Sequence, residues 1–323
     1  MSNYTSNDII NAIAAAAKAL EARKDEINRL NVFPVPDGDT GTNMSLTLAM
    51  VVDNLAKLPI GASSEDRRRA ITTGALMGAR GNSGVITSQI MRGLCEGIAD
   101  HEEFDIVAVD DAFSRAVEVA FNAVRKPVEG TILTVLRDTA TAAHKARKKK
   151  MELDEGLQFI VGESYASVQR TPELLPVLKE NGVVDAGGFG IAIFFDSFVA
   201  SLTGRAEAMV DELAFARTAA PKVEIEQIND WEGSKYKYCN EFLVNSETLD
   251  PEEALDFLQT MGDCELCVGS TPKFKVHVHS NTPDKVLAYF LERGEIFEVF
   301  IHNMKLQSEE RTEKLEAEQE AAH

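Results

Sequence analysis

The chain has 323 residues, 44% hydrophobic and 26% charged, an ordinary make-up for a folded protein with room for two domains. A net charge of −19 argues against nucleic acid or an anionic membrane surface as partner, so a phosphorylated ligand must be held by metal or local backbone dipoles against that field. No apolar run approaches the roughly 20 residues that span a bilayer, Met1 to Thr5 lacks a signal-like core, and the four cysteines suit reduced thiols or a metal site, so a cytoplasmic protein is expected.

Apolar Ile9, Ile10, Ile13, Ala17 and Leu20 recur at helical spacing and predict one helix from Ser6 to Leu30. Then comes Asn31-Val32-Phe33-Pro34-Val35-Pro36-Asp37-Gly38-Asp39-Thr40-Gly41-Thr42-Asn43-Met44, in which two prolines forbid a helix. Asp37 and Asp39 flank Gly38, and an amphipathic helix follows from about Thr42 to Leu58. Carboxylates in such a loop suit a hard cation such as Mg²⁺, and free N–H groups at the helix start suit phosphate. The same residues also read as a plain turn with capping groups.

A helix from Ser64 leads to a glycine-rich turn, Gly78-Ala79-Arg80-Gly81-Asn82-Ser83-Gly84, which fits either phosphate or a kink where helices cross. Further helices are expected from Asp110 to Arg125, from Glu129-Gly130-Thr131 to the basic cluster at Lys145 to Lys150, from Leu157 to Val168, and briefly after Thr171-Pro172. The basic cluster reads as a solvated helix end. A third glycine-rich turn, Asp185-Ala186-Gly187-Gly188, opens the apolar helix Ile191 to Leu202, closed by Gly204. Residues 1–204 therefore read as an all-α domain with three glycine-rich turns.

The acidic stretch 205–232 reads as a linker. Beyond it the period changes: a strand from Tyr236 to Val244, a helix capped at Asp250, strands from Cys264 to Val268 and Phe274 to His279, a helix from Pro283, and a last strand from Ile296 to Ile301. That order, βαββαβ over 233–306, predicts a ferredoxin-like α+β domain. Residues 307–323 have no apolar face and read as a charged linker tail.

The loop from Asn31 to Met44, the turn from Gly78 to Gly84 and Asp185-Ala186-Gly187-Gly188 together resemble the L-type nucleotide-binding domain of the dihydroxyacetone kinase family. With Tyr238-Cys239-Asn240-Glu241-Phe242 and Lys275-Val276-His277-Val278-His279, nearly the whole chain resembles the kinase subunit of bacterial fatty acid kinases. The resemblance implies an antiparallel helical barrel that binds ATP or ADP at one open end. It implies that Asp37 and Asp39 hold Mg²⁺ and act in catalysis, with Arg80 a candidate for completing the transition-state charge. It places Asn31, Thr40, Gly41, Thr42, Asn43, Gly81, Asn82, Ser83, Thr131, Asp185 and Gly187 around the nucleotide. Dihydroxyacetone kinases carry a third aspartate before the pair and a histidine after it; Asn31 and Thr40 stand here instead, which favours the fatty acid branch.

That branch implies ATP-dependent conversion of fatty acid to acyl phosphate, the acid arriving on a separate fatty-acid-binding carrier protein. The carrier would be engaged by a C-terminal domain expected to begin where this chain stops, so the chain is expected to bind nucleotide and be poor at the full reaction. A homodimer is implied as well. The competing readings are a dihydroxyacetone-type kinase that acts on a triose and a non-catalytic nucleotide-binding scaffold.

His277 and His279 lie two apart in a strand and share a face, and Cys239 lies on another strand of the same sheet. That set suits Zn²⁺ with an open fourth position, with Glu241 as a neighbour, though a buried cysteine beside two surface histidines has the same pattern. Cys264-Glu265-Leu266-Cys267 has no second cysteine pair, and positions three apart in a strand face opposite sides, so both thiols are read as packing groups.

Overall fold

The computed structural model describes residues 4–205 and 235–321; the expected linker at 205–232 lies almost wholly outside the described residues. The first unit is all helical: α1 Ser6–Ala22, α2 Lys24–Leu30, α3 Thr40–Ala56, α4 Ser64–Gly78, α5 Gly81–Gly97, α6 Ile106–Ala123, α7 Ile132–Lys148, α8 Leu153–Leu174, α9 Pro176–Glu180 and α10 Ala186–Thr203. Their packing runs in a closed circuit, α1 to α3 to α5 to α6 to α7 to α8 to α10 and back to α1. One continuous apolar core fills it, with Leu20, Ile27, Met44, Ile90 and Leu136 among its most buried side chains.

Local chemistry sets most boundaries. Thr5 and Asp8 form a reciprocal capping box at α1, and Ser63 and Asp66 do the same at α4. Asp105 caps α6 by accepting from Val107 and Ala108 N–H, so that helix starts before the expected Asp110. The expected single helix to Leu30 is broken at Arg23, which leaves helical geometry (φ −114°, ψ 9°) and pairs with Glu26. The helix expected to stop at Val168 runs on through Pro172 to Leu174. Pro172 has no N–H to offer the Val168 carbonyl, and the Thr171 hydroxyl donates to that carbonyl instead, at 2.7 Å.

α10 is long and apolar enough to cross a membrane, but 78% of it is buried inside the protein, where Phe194 and Phe195 pack edge-on. It is the helix against which α1, α7 and α8 close.

The second unit comprises β1 Tyr238–Asn245, α11 Pro251–Met261, β2 Gly262–Ser270, β3 Lys273–Ser280, α12 Pro283–Leu291 and β4 Glu295–Asn303. The sheet order is β2-β3-β1-β4 with each neighbouring pair antiparallel. Alternation along β1 divides its two faces: Phe242 and Val244 join Leu258, Val276 and Phe290 in a core under the helices. Cys239 and Glu241 point the other way, toward the helical unit, where Leu266 and Val268 of β2 meet Ala79 and Val85 in a small apolar seam.

The expected tail is structured. Residues Met304–Ala321 form α13, whose Met304 packs with Val35 and Cys239. The sequence shows no amphipathic period here because the helix docks through polar side chains: Ser308 and Thr312 are buried, and Arg311 reaches back to the loop before α3.

Candidate functional site

A cleft of about 630 Å³ opens between the two units. Three elements of the helical unit and one face of the sheet build it.

The first wall is the loop between α2 and α3. Asn31 folds it: its amide donates to the Val35 carbonyl (3.0 Å) and its side-chain oxygen accepts from Asp39 N–H (3.1 Å). Gly38 takes a left-handed turn (φ 71°), bringing Asp37 and Asp39 to the same cleft. Asp39 is the N-cap of α3 yet makes no side-chain capping bond; its carboxyl shares a hydrogen bond with that of Asp37 instead. Burial, and then the charge of Asp39, push the Asp37 carboxyl well above the usual carboxylate range. Two carboxylates that repel in a half-buried cleft are a site that a cation would relieve.

The first N–H groups of α3, expected to be free for phosphate, are already taken: Gly41 and Thr42 N–H both donate to the side-chain oxygen of Asn28, at 2.8 and 3.1 Å. Gly41 itself, expected around the nucleotide, does not line the cleft. It lies against α2, where a Cβ would collide with the Lys24 carbonyl oxygen. Thr40, Thr42 and Asn43 do line the cleft.

The second wall is the Arg80-Gly81-Asn82-Ser83 turn at the start of α5, all four residues facing the cleft. Arg80 lies over the Phe300 ring (4.5 Å to its centre) and 3.6 Å from Glu298, both on β4. Gly81 takes φ 57° and donates its N–H to Glu241 of β1 at 2.8 Å. The third wall joins the starts of α7 and α10, with Thr131, Asp185 and Gly187 on the cleft. The Asp185 carboxylate caps α10 by accepting from Gly188 N–H at 2.6 Å; burial pushes its carboxyl up to about 7.

The sheet closes the cleft. Cys239, His277 and His279 are all buried and present one ligand atom each, mutually within 4.8 Å. The Cys239 sulfur is 3.7 Å from His277 Nδ1. His277 Nε2 is buried without a hydrogen-bond partner, and His279 Nδ1, also buried without one, has only the Asp263 carboxylate at 3.4 Å; both are atoms that a metal could use. Burial, reinforced by His279 and Lys275, drives the His277 pKa well below its ordinary value, which favours the neutral imidazole, the form able to ligate a metal. Burial raises the Cys239 thiol, so metal uptake must release its proton.

Other residues of the cleft escaped the sequence reading. Asp263, Cys264 and His279 form a second group with ligand atoms within 4.8 Å. Cys264 and Cys267 do face opposite sides, but only Cys267 packs in the small core. A bulge after Asp263 puts Cys264 in a left-handed conformation (φ 54°) on the cleft. Lys275 is completely buried 3.5 Å from Glu241, and burial pulls its pKa down while Glu241 partly restores it. Nothing in the local sequence marks Lys275, since a lysine on a strand normally faces water.

The DAK2 domain family matches residues 34–200, just over half of the chain. The chain belongs to this family. The middle domain of proteins like the fatty acid kinase A-subunit matches residues 235–311, so the two units of the structure correspond to a DAK2 domain and that middle domain. The DAK2 match contains Asp37, Asp39 and both later glycine-rich turns; the middle-domain match ends on Arg311. An uncharacterized protein of Staphylococcus haemolyticus is 38% identical over 313 residues, covering 94% of this chain and 56% of that protein. One of Staphylococcus aureus is 38% identical over 307 residues, covering 92% and 55%. The chain thus spans about half the length of the curated relatives it matches. The crystal structure of the dihydroxyacetone kinase from C. freundii in complex with AMP-PNP and Mg²⁺ superposes with a TM-score of 0.47 at 17% identity, over 62% of this chain and 34% of that one.

Proposed function

We propose that the chain is the ATP-binding and middle part of a fatty acid kinase, transferring the γ-phosphoryl group of ATP to the carboxylate of a fatty acid delivered by a carrier protein. The observation that carries this reading is the single cleft onto which a DAK2 aspartate loop, the glycine-rich turns and the Cys/His face of a fatty acid kinase-type middle domain all open. The reading takes the circuit of helices as an antiparallel barrel and the smaller unit as ferredoxin-like, in a cytoplasmic homodimer.

Asp37 and Asp39 would hold Mg²⁺, which supplies charge neutralisation of the triphosphate when bound. Thr40, Thr42, Asn43, Asn82 and Ser83 offer hydroxyl and amide groups to the phosphates, replacing the α3 amides that Asn28 occupies. Arg80, fixed over Phe300, directs positive charge to the same region. A fatty acid carboxylate is already a nucleophile: its oxygen forms the new bond to phosphorus as the bond to the β-phosphate oxygen breaks, and no protein base is required. Positioning and charge carry the catalysis. Cys239, His277 and His279 would hold Zn²⁺, a Lewis acid on the sheet side of the same cleft, next to the aspartate loop that Cys239 packs against through Val35.

The test is reconstitution. The chain is given MgATP, a fatty-acid-loaded carrier protein and, in trans, the region of a relative beyond the matched part. Acyl phosphate is the expected product. Phosphorylation of dihydroxyacetone instead would establish a triose kinase, and nucleotide binding with no product in any combination would establish a scaffold.

A further inference from the structure

α13 brings one buried cation to the aspartate loop. The Arg311 guanidinium donates to four main-chain carbonyls: Asn31 at 2.7 Å, Pro36 at 2.8 Å, Asn28 at 3.2 Å and Arg29 at 3.3 Å. Three of these belong to the end of α2 and its C-cap, carbonyls that a helix leaves without partners. The fourth lies immediately before Asp37. The fork therefore ties the exit of α2 to the entry of the metal loop, across more than 270 residues of sequence.

Two further contacts specify the fit. A Cβ on Gly38 would stand 2.7 Å from Arg311 Nε, so the turn between the two aspartates has room for the arginine only because it is glycine. The guanidinium also lies close enough to Asp37 and Asp39 to feel both charges. Arg311 thus supplies the positive charge on the protein side of an acidic pair whose other side opens on the cleft.

We propose that Arg311 is the positioning residue of the magnesium site: it holds the Asn31–Asp39 loop in its ligating shape and shares the charge of Asp37 and Asp39. Arg311 itself does not line the cleft. Through it, α13 sets the metal affinity of the DAK2 domain. The inference rests on the proposed role of Asp37 and Asp39, and its test separates the two.

Calorimetry of the 323-residue chain with ATP across a magnesium series compares wild type with Arg311→Ala, Arg311→Lys and Gly38→Ala. Loss of an outer-shell partner costs metal affinity about 10- to 100-fold, so Arg311→Ala should raise the half-saturating magnesium concentration by that factor. Arg311→Lys keeps the charge without the fork and should fall between. Gly38→Ala, which displaces the guanidinium and also strains the left-handed turn between the aspartates, should lose at least as much. Metal-free amide exchange gives a second reading: residues 31–42 should exchange faster in Arg311→Ala while α6 is unchanged. A general loss of folding would instead accelerate exchange in α6 too, and Arg311→Lys, which keeps the charge and the long side chain without the fork, then decides. Wild type that binds no magnesium nucleotide overturns the proposed function. Wild-type binding with the same magnesium dependence in Arg311→Ala and Gly38→Ala overturns the role of Arg311 alone.

Discussion

Removing the Glu241 carboxylate tests how the middle domain is held to the kinase domain. Glu241 accepts from Gly81 N–H at 2.8 Å and lies 3.5 Å from Lys275 Nζ, and both charged side chains are buried. At an effective dielectric of about 20 the gross attraction across 3.5 Å is about 5 kcal/mol. Desolvation of the two charges costs several kcal/mol and offsets most of it. The pair therefore adds little net stability, but deleting one member strands the other. Glu241→Ala should cost about 3 kcal/mol, the lower end for a broken buried pair, because Lys275 can shed its proton. Glu241→Gln keeps an acceptor for Gly81 and should cost about 1.5–3 kcal/mol, the worth of a hydrogen bond to a charged group. Lys275→Met should cost a similar amount. The double variant Glu241→Gln with Lys275→Met leaves no stranded charge, so the cycle should show a coupling of about 1–3 kcal/mol. Urea unfolding followed by far-ultraviolet circular dichroism at pH 7 supplies the four free energies. Single effects that add to within about 0.5 kcal/mol would refute the argument, since independent sites add that closely.

The other predictions concern the cleft. Asp37→Asn with Asp39→Asn should abolish magnesium-dependent nucleotide binding in calorimetry; unchanged affinity would remove both residues from the site. Asp185 holds its proton more tightly in the native state, with its carboxyl pushed up to about 7 by burial. Its stabilising contribution is thus full below about pH 4, the unfolded value, and is lost as pH rises through about 7. Asp185→Asn, which keeps the acceptor for Gly188, should raise Tm at pH 8 by a gain of at most about 4 kcal/mol and leave it unchanged at pH 4. No difference at pH 8 would contradict the burial argument. Elemental analysis of the purified chain should find zinc, and Cys239→Ser should lower its content; metal-free wild type would end the zinc reading without a mutant.

Local chemistry made the helical unit legible. Capping residues, prolines and apolar periodicity act over one or two turns of chain, so they mark the beginnings and ends of helices in the sequence itself. The two-residue spacing along β3 likewise puts His277 and His279 on one face, and the alternation along β1 lets Cys239 join them. Long-range packing decided the rest. Asn28 takes the amides at the start of α3, Lys275 is buried beside Glu241, and Arg311 sits beneath the aspartate loop, each through contacts with segments distant in sequence. A lysine on a strand or an arginine on a charged helix has the composition of a solvated surface. Only the approach of another element removes the water and turns those side chains into fixed charges. The sequence therefore determined most of the elements and many of the residues they carry to the cleft, but not α13, the exposure of Asp263 and Cys264 there, or the turning of Gly41 away from it. The tertiary structure alone decided which polar groups are buried together there, because burial is a property of neighbours that the local pattern does not contain.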